Sequence, residues 1–410
     1  MTFEKPLFQR SSWLKSKLSV SLYLFIISMN YALAAELNIT ASFQADVIGN
    51  NTNANQFTNT TPNGGYCINY PDLCRNNGWF SISLPMSIPS TPLVKDDPVP
   101  LRVPYSWRDL TVTHSDGTTQ TVQFRIIGMG SVYILSSSVG NQSAHSQLWN
   151  GDWYTNPGAG CTRGSLAHVG GNWFRFFWFF RSDNACVKSP TYSLAGISFS
   201  ENNIMYELRT PNPLQMSAGQ YTGTLSYTVG RTGDIQLGNG VANDPILNLN
   251  FKLNVSHTLR VQFPVNSNLL ALQPQGGWQQ WINSGGNQRP NKLTINQPFR
   301  LWVSSRFKMQ LQCQYPVGSD CGLQSDDNNT QIPVKTMVTL PSSLQDTSNK
   351  PVNNYLLSNN MISVFQPSNI IYDGRSSLNF EIEKSGVNQM IDSGGGRFRG
   401  NVTVIWDSEI

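Results

Sequence analysis

Alternation of apolar and polar residues dominates the chain and predicts β-strands. In residues 110–128, two alternating segments meet at Asp116 and Gly117, a pair that readily takes the positive φ values of a two-residue hairpin turn. Similar alternating runs occupy residues 246–255, 298–305, 307–313, 334–340 and 377–383. Clusters of Gly, Asn, Ser and Pro separate these runs, and no long segment has a helical period. The pattern therefore predicts an all-β protein.

One phrase occurs in the middle of the chain and again at its end. Residues 219–229 read GQYTGTLSYTV, and residues 396–406 read GRFRGNVTVIW. Each copy is Gly-x-aromatic-x-Gly followed by alternating apolar residues, which is typical of a half-buried strand entered through a glycine turn. The repetition predicts two related domains. With 33 Gly and 23 Pro among 410 residues, the composition favours β-sandwiches over helical bundles.

The beginning of the chain has the pattern of a secretory leader. Four basic residues precede the apolar run 18–29, and Ala-Leu-Ala at 32–34 has the small-x-small pattern of a signal-peptidase site. A lone membrane anchor is the alternative, but the run is short for a spanning helix. We therefore expect a signal peptide at 1–34, a first domain at 35–259 and a second domain at 260–410.

Charge argues against nucleic acid as a partner. The chain has 28 Lys and Arg against 24 Asp and Glu, a formal net charge of +4. The predicted leader contains four of the basic residues and one acidic residue, which leaves the rest of the chain close to neutral. A near-neutral chain without a basic block has little of the electrostatic footprint that phosphate binding requires.

Six cysteines lie after the leader, and they are Cys67, Cys74, Cys161, Cys186, Cys313 and Cys321. An even count in an exported protein points to disulfides, and the chain order suggests three local pairs, although six cysteines permit about fifteen connectivities. A zinc site is the alternative, but there is no CxxC and no histidine lies near a cysteine pair at ligand spacing. We expect the pairs 67–74, 161–186 and 313–321, with no metal and no cofactor.

The two copies of the repeated phrase differ in the residues that come after them. After the first copy, the alternating run PILNLNFKLNV at 245–255 can pair beside it and close a sheet, whereas the second copy ends four residues before the chain does. A sandwich lacking its last strand exposes an apolar groove and unpaired backbone groups, which invite aggregation unless another chain supplies the strand. We expect an incomplete second sandwich. An ordinary sandwich whose last strand ends the protein is the alternative.

This layout resembles the minor tip subunits of the alternate chaperone–usher class, which include the tip adhesin of colonization-factor fimbriae and the cable-pilus initiator. The resemblance rests on Cys67 and Cys74, on Cys161 and Cys186 before the first copy of the phrase, on LRVQFP at 259–264, and on the terminal GGGRFRGNVTVIWD. It implies two immunoglobulin-like β-sandwich domains in tandem. The first would bind a receptor, and the second would be an incomplete pilin fold lacking its last strand.

The resemblance also implies a location and partners. The protein would pass through the periplasm to the cell surface, stand at the fimbrial tip and initiate pilus assembly. Its partners would be a periplasmic pilus chaperone, an outer-membrane usher, a major pilin subunit that donates a strand by β-augmentation, and a host cell-surface glycan or glycoprotein.

The start of the predicted mature chain leaves a choice open. Residues 35–47, AELNITASFQADV, alternate like a donor strand. If they are donated to a neighbour, the protein is a non-tip minor pilin. If they fold into their own first domain, it is terminal.

Arg231 is the first candidate receptor-binding residue. In the family that the chain resembles, one receptor-site arginine lies just after the Gly-x-aromatic strand, and Arg231 takes that position, although Gly and Thr flank it instead of a second basic residue. The resemblance implies that its fixed charge and five donors bind a carboxylate or sulfate of a sugar. A solvated arginine at a strand end is the alternative.

An aromatic ridge supplies the other candidates. The segment GGNWFRFFWFFRSDN at 170–184 has aromatic residues on both faces of a strand, interrupted by Arg175. A core strand covered on both sides is one interpretation, and an exposed sugar- or lipid-contacting platform with Trp178 near Arg181 is the other. Trp153 either contributes to the same surface or anchors a loop.

Catalytic motifs are missing from the sequence. It has no Gly-x-Ser-x-Gly elbow, no HExxH, no phosphate-cradling glycine loop before a helix and no cysteine left for nucleophilic chemistry. We expect a binding protein and no enzyme. A secreted carbohydrate-active enzyme is the alternative, because the two carboxylates of a glycosidase are paired only in space.

Overall fold

The computed structural model describes residues 34–45, 56–265, 267–285 and 289–408. The predicted signal peptide lies outside these residues except for Ala34, and so do the last two residues of the predicted donor segment. Strands make up most of the described chain and its helices are short, so the all-β prediction is confirmed. No helix in the described ranges is long and apolar enough to cross a membrane.

The described chain up to Ser256 forms fourteen strands. They are β1 (Ala35–Gln44), β2 (Thr58–Asn59), β3 (Phe80–Ser83), β4 (Ile88–Leu93), β5 (Val99–Arg102), β6 (Arg108–His114), β7 (Thr119–Leu135), β8 (Cys161–Val169), β9 (Trp173–Phe180), β10 (Cys186–Lys188), β11 (Leu194–Arg209), β12 (Gly219–Gly230), β13 (Gln236–Leu237) and β14 (Val241–Ser256). Twelve more strands lie in the rest of the described chain. They are β15 (Leu259–Gln262), β16 (Lys292–Val303), β17 (Phe307–Cys313), β18 (Pro316–Val317), β19 (Asp320–Ser325), β20 (Gln331–Thr339), β21 (Leu344–Asp346), β22 (Tyr355–Leu356), β23 (Ser363–Pro367), β24 (Ile371–Glu383), β25 (Phe398–Arg399) and β26 (Val402–Ser408).

Short helices occupy the connections. They are α1 (Tyr66–Asn69), α2 (Pro71–Asn77), α3 (Gln142–Leu148), α4 (Gly277–Asn283) and α5 (Lys384–Asp392), with a 3-10 turn at Pro213–Gln215. The hairpin predicted at residues 116 and 117 joins β6 to β7, where Gly117 has a φ of 88° and Asp116 accepts a 2.7 Å hydrogen bond from the Thr118 amide. Glycine fits this turn because a side chain is strained at that φ.

Strands β1 to β14 form the first sandwich, built from an eleven-stranded and a three-stranded sheet. The larger sheet has the order β2-β1-β14-β12-β6-β7-β11-β3, with β4 paired to β11, β9 to β7 and β8 to β9, and the smaller sheet has the order β10-β5-β13. Alternate residues of each strand point inward, so Ile39 and Phe43 of β1 and Leu249 and Phe251 of β14 are at most 2% exposed. One continuous core results.

The aromatic ridge is strand β9, and it is covered on both faces. Phe174, Phe176 and Trp178 belong to the main core, while Phe177 faces a small second cluster with Tyr66 and the disulfide under α1 and α2. The Tyr66 and Phe177 ring centroids are 4.2 Å apart. The two-sided aromatic pattern therefore reflects burial from both sides.

Strands β15 to β26 form the second sandwich. Its eight-stranded sheet has the order β15-β16-β24-β20-β19-β18, with β22 on β20 and β25 on β19, and its four-stranded sheet has the order β21-β23-β17-β26. A separate core lies between the sheets, with Leu301, Phe307 and Phe365 fully buried.

All three predicted disulfides are present. Cys67 pairs with Cys74, Cys161 with Cys186 and Cys313 with Cys321, and the Cα atoms of the pairs lie 5.7, 6.0 and 5.1 Å apart. These are ordinary separations for disulfide-bonded residues.

The two sandwiches join at His257. Its Nε2 lies 2.8 Å from the Met216 carbonyl oxygen in the first sandwich, and its Nδ1 lies 3.2 Å from Ser304 Oγ in the second. Because a carbonyl only accepts, Nε2 carries the proton and donates. The last residue of the first core is Val255 and Leu259 already packs on the second core, while the domain boundary after residue 259 stays a prediction.

Candidate functional site

The first copy of the repeated phrase is strand β12, and it has neighbours on both sides. It pairs with β6 at Tyr221 and Thr222, and with β14 along its whole length, from Gly219 opposite Val255 to Gly230 opposite Val241. Its inward side chains are covered, since Tyr221 and Tyr227 are each 1% exposed. The prediction that residues 245–255 pair beside this strand is thus confirmed, but they do not close the sheet, because β1 and β2 continue it beyond β14.

The second copy is β25 and then β26, and one side of it is empty. β25 pairs with β19 in the eight-stranded sheet and β26 pairs with β17 in the four-stranded sheet, so the second copy is divided between the two sheets. Within the described ranges no strand pairs with the other side of β26, whereas β12 has a partner on both sides. We call this side of β26 the open edge. No residue of β26 is fully buried, even though Val402, Val404 and Trp406 contact the core.

β26 and β15, the end strands of the two sheets, both carry half-buried apolar side chains that pack against the second core. These are Leu259 and Val261 from β15 and Val402, Val404 and Trp406 from β26. The Phe299 ring joins the two sides, because its centroid is 5.2 Å from Phe263 just after β15 and 5.2 Å from Trp406. We call this surface the edge groove. It combines exposed apolar side chains with an unpaired strand edge, which is the arrangement that accepts another β-strand.

The segment considered as a donor strand is used within the first sandwich. β1 pairs in parallel with β14 over ten residues, from Ala35 opposite Leu247 to Gln44 opposite Ser256. Ile39 and Phe43 are 0% and 2% exposed. Residues 35–44 therefore fold into their own first sheet.

Arg231 and Arg181 lie on two different turns, and both are exposed. The turn after β12 carries Arg231 and places Asp234 on the wall of a small cavity, and the turn after β9 carries Arg181 and places Asp183 on the same wall. The cavity has a volume of about 130 Å³ and is also lined by Arg102, Val103, Pro104 and Arg108. We call it the arginine cavity. Neither Arg181 nor Arg231 has a side-chain partner among the described residues.

The aspartates of the arginine cavity are held as carboxylates. Burial alone would raise the pKa of Asp234, but hydrogen bonds from Thr228 and Arg108 outweigh it and lower the pKa. Burial would also raise the pKa of Asp183, but hydrogen bonds from Ser106 and Tyr105 outweigh it and lower the pKa. Arg108 Nη2 lies 2.5 Å from Asp234 Oδ1, and its guanidinium lies 4.7 Å from the ring centroid of Tyr227.

Arg102 is the one arginine of this cavity with an unused buried donor. Its Nη2 donates to the Gly233 carbonyl, which ties β5 to the turn that carries Arg231. Its Nε is buried and has no hydrogen-bond partner among the described residues. A buried N–H without an acceptor is costly, so this atom favours an oxygen-bearing ligand or a water in the cavity.

The remaining candidates from the sequence do not join this cavity. Trp178 and Trp153 are 0% and 1% exposed, so neither offers a face to a ligand, and an aromatic platform built on them is corrected to core packing. Trp178 Nε1 donates a 2.8 Å hydrogen bond to the Trp153 carbonyl, which anchors the loop to the ridge. Arg175 projects from β9 and is paired with Glu201 at 2.5 Å.

Sequence reasoning missed Arg102, Arg108, Asp183 and Asp234. Arg102 and Arg108 stand at a strand end and a strand start, and the two aspartates lie in turns where Asp is common for local reasons. A signal was nevertheless present, since RVPYSWR at 102–108 brackets two aromatic residues with arginines.

No protein-family model matches the chain, and no curated protein sequence matches it. Solved structures do match. One comes from the chaperone-tip adhesin complex of CFA/I fimbriae biogenesis, with 12% identity over 92% of this chain and 97% of that chain and a TM-score of 0.25. Another comes from the CsuC-CsuE chaperone-tip adhesion subunit pre-assembly complex of archaic chaperone-usher Csu pili of Acinetobacter baumannii, with 11% identity over 91% and 99% of the two chains and a TM-score of 0.21.

A third match is the CupB6 tip adhesin from Pseudomonas aeruginosa, with 10% identity over 78% of this chain and 94% of that chain and a TM-score of 0.22. The matched structures are thus described as tip adhesins or their chaperone complexes. At these identities and TM-scores the similarity by itself assigns neither fold nor function to this chain.

Proposed function

We propose that this chain is a tip adhesin of a chaperone–usher fimbria, exported through the periplasm to the cell surface. The observation that carries the proposal is the open edge of β26 beside the edge groove. In the first sandwich the strand formed by the repeated phrase has a partner on both sides, β6 and β14. The second sandwich is therefore a pilin domain that is completed by a strand from another chain.

The physical basis is the cost of leaving a strand edge and an apolar surface in water. A donated strand hydrogen-bonds the free N–H and C=O groups of β26 and covers Val402, Val404 and Trp406. A periplasmic pilus chaperone supplies this strand first, and a major pilin subunit replaces it at the outer-membrane usher, so that the subunit initiates assembly.

The position of β1 favours a tip subunit over a non-tip minor pilin. A non-tip subunit has to donate an N-terminal strand to its neighbour, but residues 35–44 are paired with β14, and Ile39 and Phe43 are buried in the first core. Withdrawing this strand would open that core. The subunit thus accepts a strand and donates none.

The arginine cavity is the proposed receptor site. Arg231 and Arg181 are exposed beside it, and the buried Nε of Arg102 lacks an acceptor, so the site suits the carboxylate or sulfate of a host-surface glycan. Binding is favoured over glycoside hydrolysis because the pKa values of Asp183 and Asp234 are both lowered. A glycosidase requires one carboxyl group that stays protonated as the general acid.

Periplasmic co-expression of the full chain with a candidate fimbrial chaperone tests this function. We expect a stable one-to-one complex with the chaperone, and degradation of the chain when it is expressed alone. Val404→Asp, which places a charge on the groove side of β26, should prevent complex formation, while Thr403→Asp on the exposed side of the same strand should not. A soluble, stable monomer that binds no chaperone would contradict the proposal.

A further inference from the structure

The connection between β15 and β16 carries several apolar side chains that are exposed to water. Among its described residues, Val265 and Leu269 are each 89% exposed. No residue of α4, which lies in the same connection, is buried, and its Trp278 and Ile282 are 44% and 57% exposed. Single exposed apolar side chains are ordinary on a protein surface, but a contiguous group of them marks a contact with another molecule.

Three side chains of α4 form such a group. Trp278 and Ile282 are four residues apart and therefore lie on the same side of the helix. The Trp281 ring stands edge-on to the Trp278 ring, with the two centroids 5.8 Å apart. The helix sequence, GWQQWIN, contains no charged residue. Aromatic side chains without charges are typical of the centre of a protein–protein interface. We call Trp278, Trp281 and Ile282 the α4 face.

Strand pairing places α4 on the open side of the second sandwich. β16 pairs with β24 on one side and with β15 on the other. Gln273 bridges to Thr294 of β16, and because Thr294 already has a partner on the β24 side, Gln273 lies on the β15 side. It therefore continues the sheet edge that β15 begins. α4 starts four residues later, at Gly277.

The open edge of β26 lies on this same side of the sandwich. The Phe299 ring of β16 is 5.2 Å from Trp406 of β26 and 5.2 Å from Phe263, the first residue after β15. The connection that carries α4 thus starts near β26 and returns to the edge of β16 at Gln273. A chain that donates a strand to the open edge comes to lie against this connection.

α4 also lies at the end of the second sandwich that is remote from the first. β15 begins two residues after His257, where the sandwiches join, and its first residue pairs with Val303 of β16. Gln273 bridges to Thr294, which is nine residues away along β16. Nine residues of strand extend about 30 Å. The first sandwich therefore leaves the α4 end free for another subunit.

We propose that the α4 face docks the body of the next pilin subunit in the fimbria, beside the strand that this subunit donates to the edge groove. This inference rests on the proposed adhesin function. A tip subunit continues into the fibre at the end opposite its receptor domain, so the next subunit stands where α4 is exposed. Covering Trp278, Trp281 and Ile282 adds a second contact to the joint that the donated strand makes.

The test compares two complexes of the full chain, one with the major pilin subunit of the same fimbria and one with a peptide that copies only the strand which that subunit donates. We expect the amides of residues 277–283 to exchange slowly in the pilin complex and fast in the peptide complex. The pilin complex should also melt several degrees higher. Trp278→Ser combined with Ile282→Ser should remove this difference, because truncated aromatic contacts dominate the loss of interface energy. It should leave the peptide complex unchanged, since no residue of α4 is buried.

Ile68→Ser combined with Leu73→Ser is the matched control, because both are exposed apolar residues on short helices of the first sandwich. It should leave the difference between the two complexes intact. Protection of α4 in the free chain, in the peptide complex or in a complex with the periplasmic chaperone would assign the face to another contact and overturn the inference. A pilin complex of the α4 variant as stable as the wild-type complex would also overturn it. If the adhesin function itself is wrong, neither the pilin nor the peptide binds, which is a separate result.

Discussion

Both sandwiches contain the repeated Gly-x-aromatic-x-Gly phrase, but its strand has two partner strands in the first sandwich and one in the second. In the first, β12 lies between β6 and β14, and β14 is in turn covered by β1. In the second, β26 has β17 on one side and an open edge on the other. The difference teaches that a local sequence pattern specifies a strand, while its completion depends on which neighbours the rest of the chain provides.

Burial shows what the missing neighbour is worth. Tyr227 in β12 is 1% exposed, whereas no residue of β26 is fully buried. Full burial of a large apolar side chain contributes about 1.5–3 kcal/mol. Completing the burial of three side chains along β26 is therefore a substantial fraction of the roughly 5–15 kcal/mol by which a typical domain is stable.

The largest expected effect comes from charges placed on β1 and β26. Ile39→Asp buries an unpaired carboxylate at a position that is 0% exposed, and we expect it to cost about 3 kcal/mol or more and to unfold the first sandwich. Val404 is only half-buried in the free chain, so Val404→Asp should cost about 1 kcal/mol or less of stability there. Denaturant unfolding monitored by Trp fluorescence measures both.

When a strand donor is bound, we expect the effect of Val404→Asp to become the larger of the two. Val404→Asp should abolish donor binding, because the carboxylate would then be buried in the completed groove. Equal destabilisation of the free chain by the two substitutions would show that β26 is already as covered as β1.

Removing the buried charge of Lys188 should give the next largest effect. Lys188, which is 2% exposed, donates from Nζ to the carbonyl oxygens of Asn150, Gly151 and Asn156 at 3.2, 3.0 and 2.7 Å. Lys188→Met leaves these carbonyls without their donor and should destabilise the first sandwich by about 2–3 kcal/mol. Exposed Lys95→Met is the control and should cost under about 0.5 kcal/mol.

The second sandwich provides the contrasting group. Asp320 Oδ1 is buried without a hydrogen-bond partner among the described residues, and burial raises the pKa of this carboxyl. Asp320→Asn should therefore be neutral or slightly stabilising. A loss as large as that of Lys188→Met would show that the Asp320 carboxylate has a partner in solution.

Acidification should give the smallest effect, and it should change the stability of the two sandwiches in opposite directions. All four histidines precede residue 258, and burial lowers the pKa of both His145 and His257 below the ordinary 6.5. As the pH falls through 6.5, the unfolded chain takes up protons that the folded chain resists, so the first sandwich loses stability. Asp320 acts in the opposite direction, because its raised pKa makes acid stabilising for the second sandwich.

Calorimetry of the full chain between about pH 7.5 and 5.5 measures this difference. We expect the transition of the first sandwich to fall by a few degrees, and His145→Gln to remove part of the shift. The matched control is His168→Gln, which changes an exposed histidine of β8 and should leave the shift intact. Equal shifts of both transitions would contradict the assignment to the histidines.

Much of the architecture was predictable because the signals are local. Alternation predicted the strands around residues 110–128 and 246–255, Asp116 and Gly117 predicted a hairpin, and short cysteine spacings predicted the three disulfides. Each depends on residues close together in sequence. The arginine cavity depends on contacts between distant segments, and the sequence predicted only Arg231 and Arg181, which lie on the turns beside it.

The errors have the same physical origin. The alternation of Trp173–Phe180 could not show whether one or both faces are buried, so Trp178 was considered for a surface platform although it lies in the main core, and α1 and α2 cover Phe177 on the other face. The pattern of residues 35–47 is equally compatible with donation and with pairing to β14. Only the partner strand distinguishes these outcomes.

Hydrogen–deuterium exchange of the full chain, read at β12 and β26 in the same sample, tests the central claim most directly. The account predicts slow exchange throughout β12 and fast exchange at alternate amides of β26, which become protected when a chaperone or donor-strand peptide binds. Slow exchange along all of β26 in the free chain would show that its edge is already paired and would contradict the account.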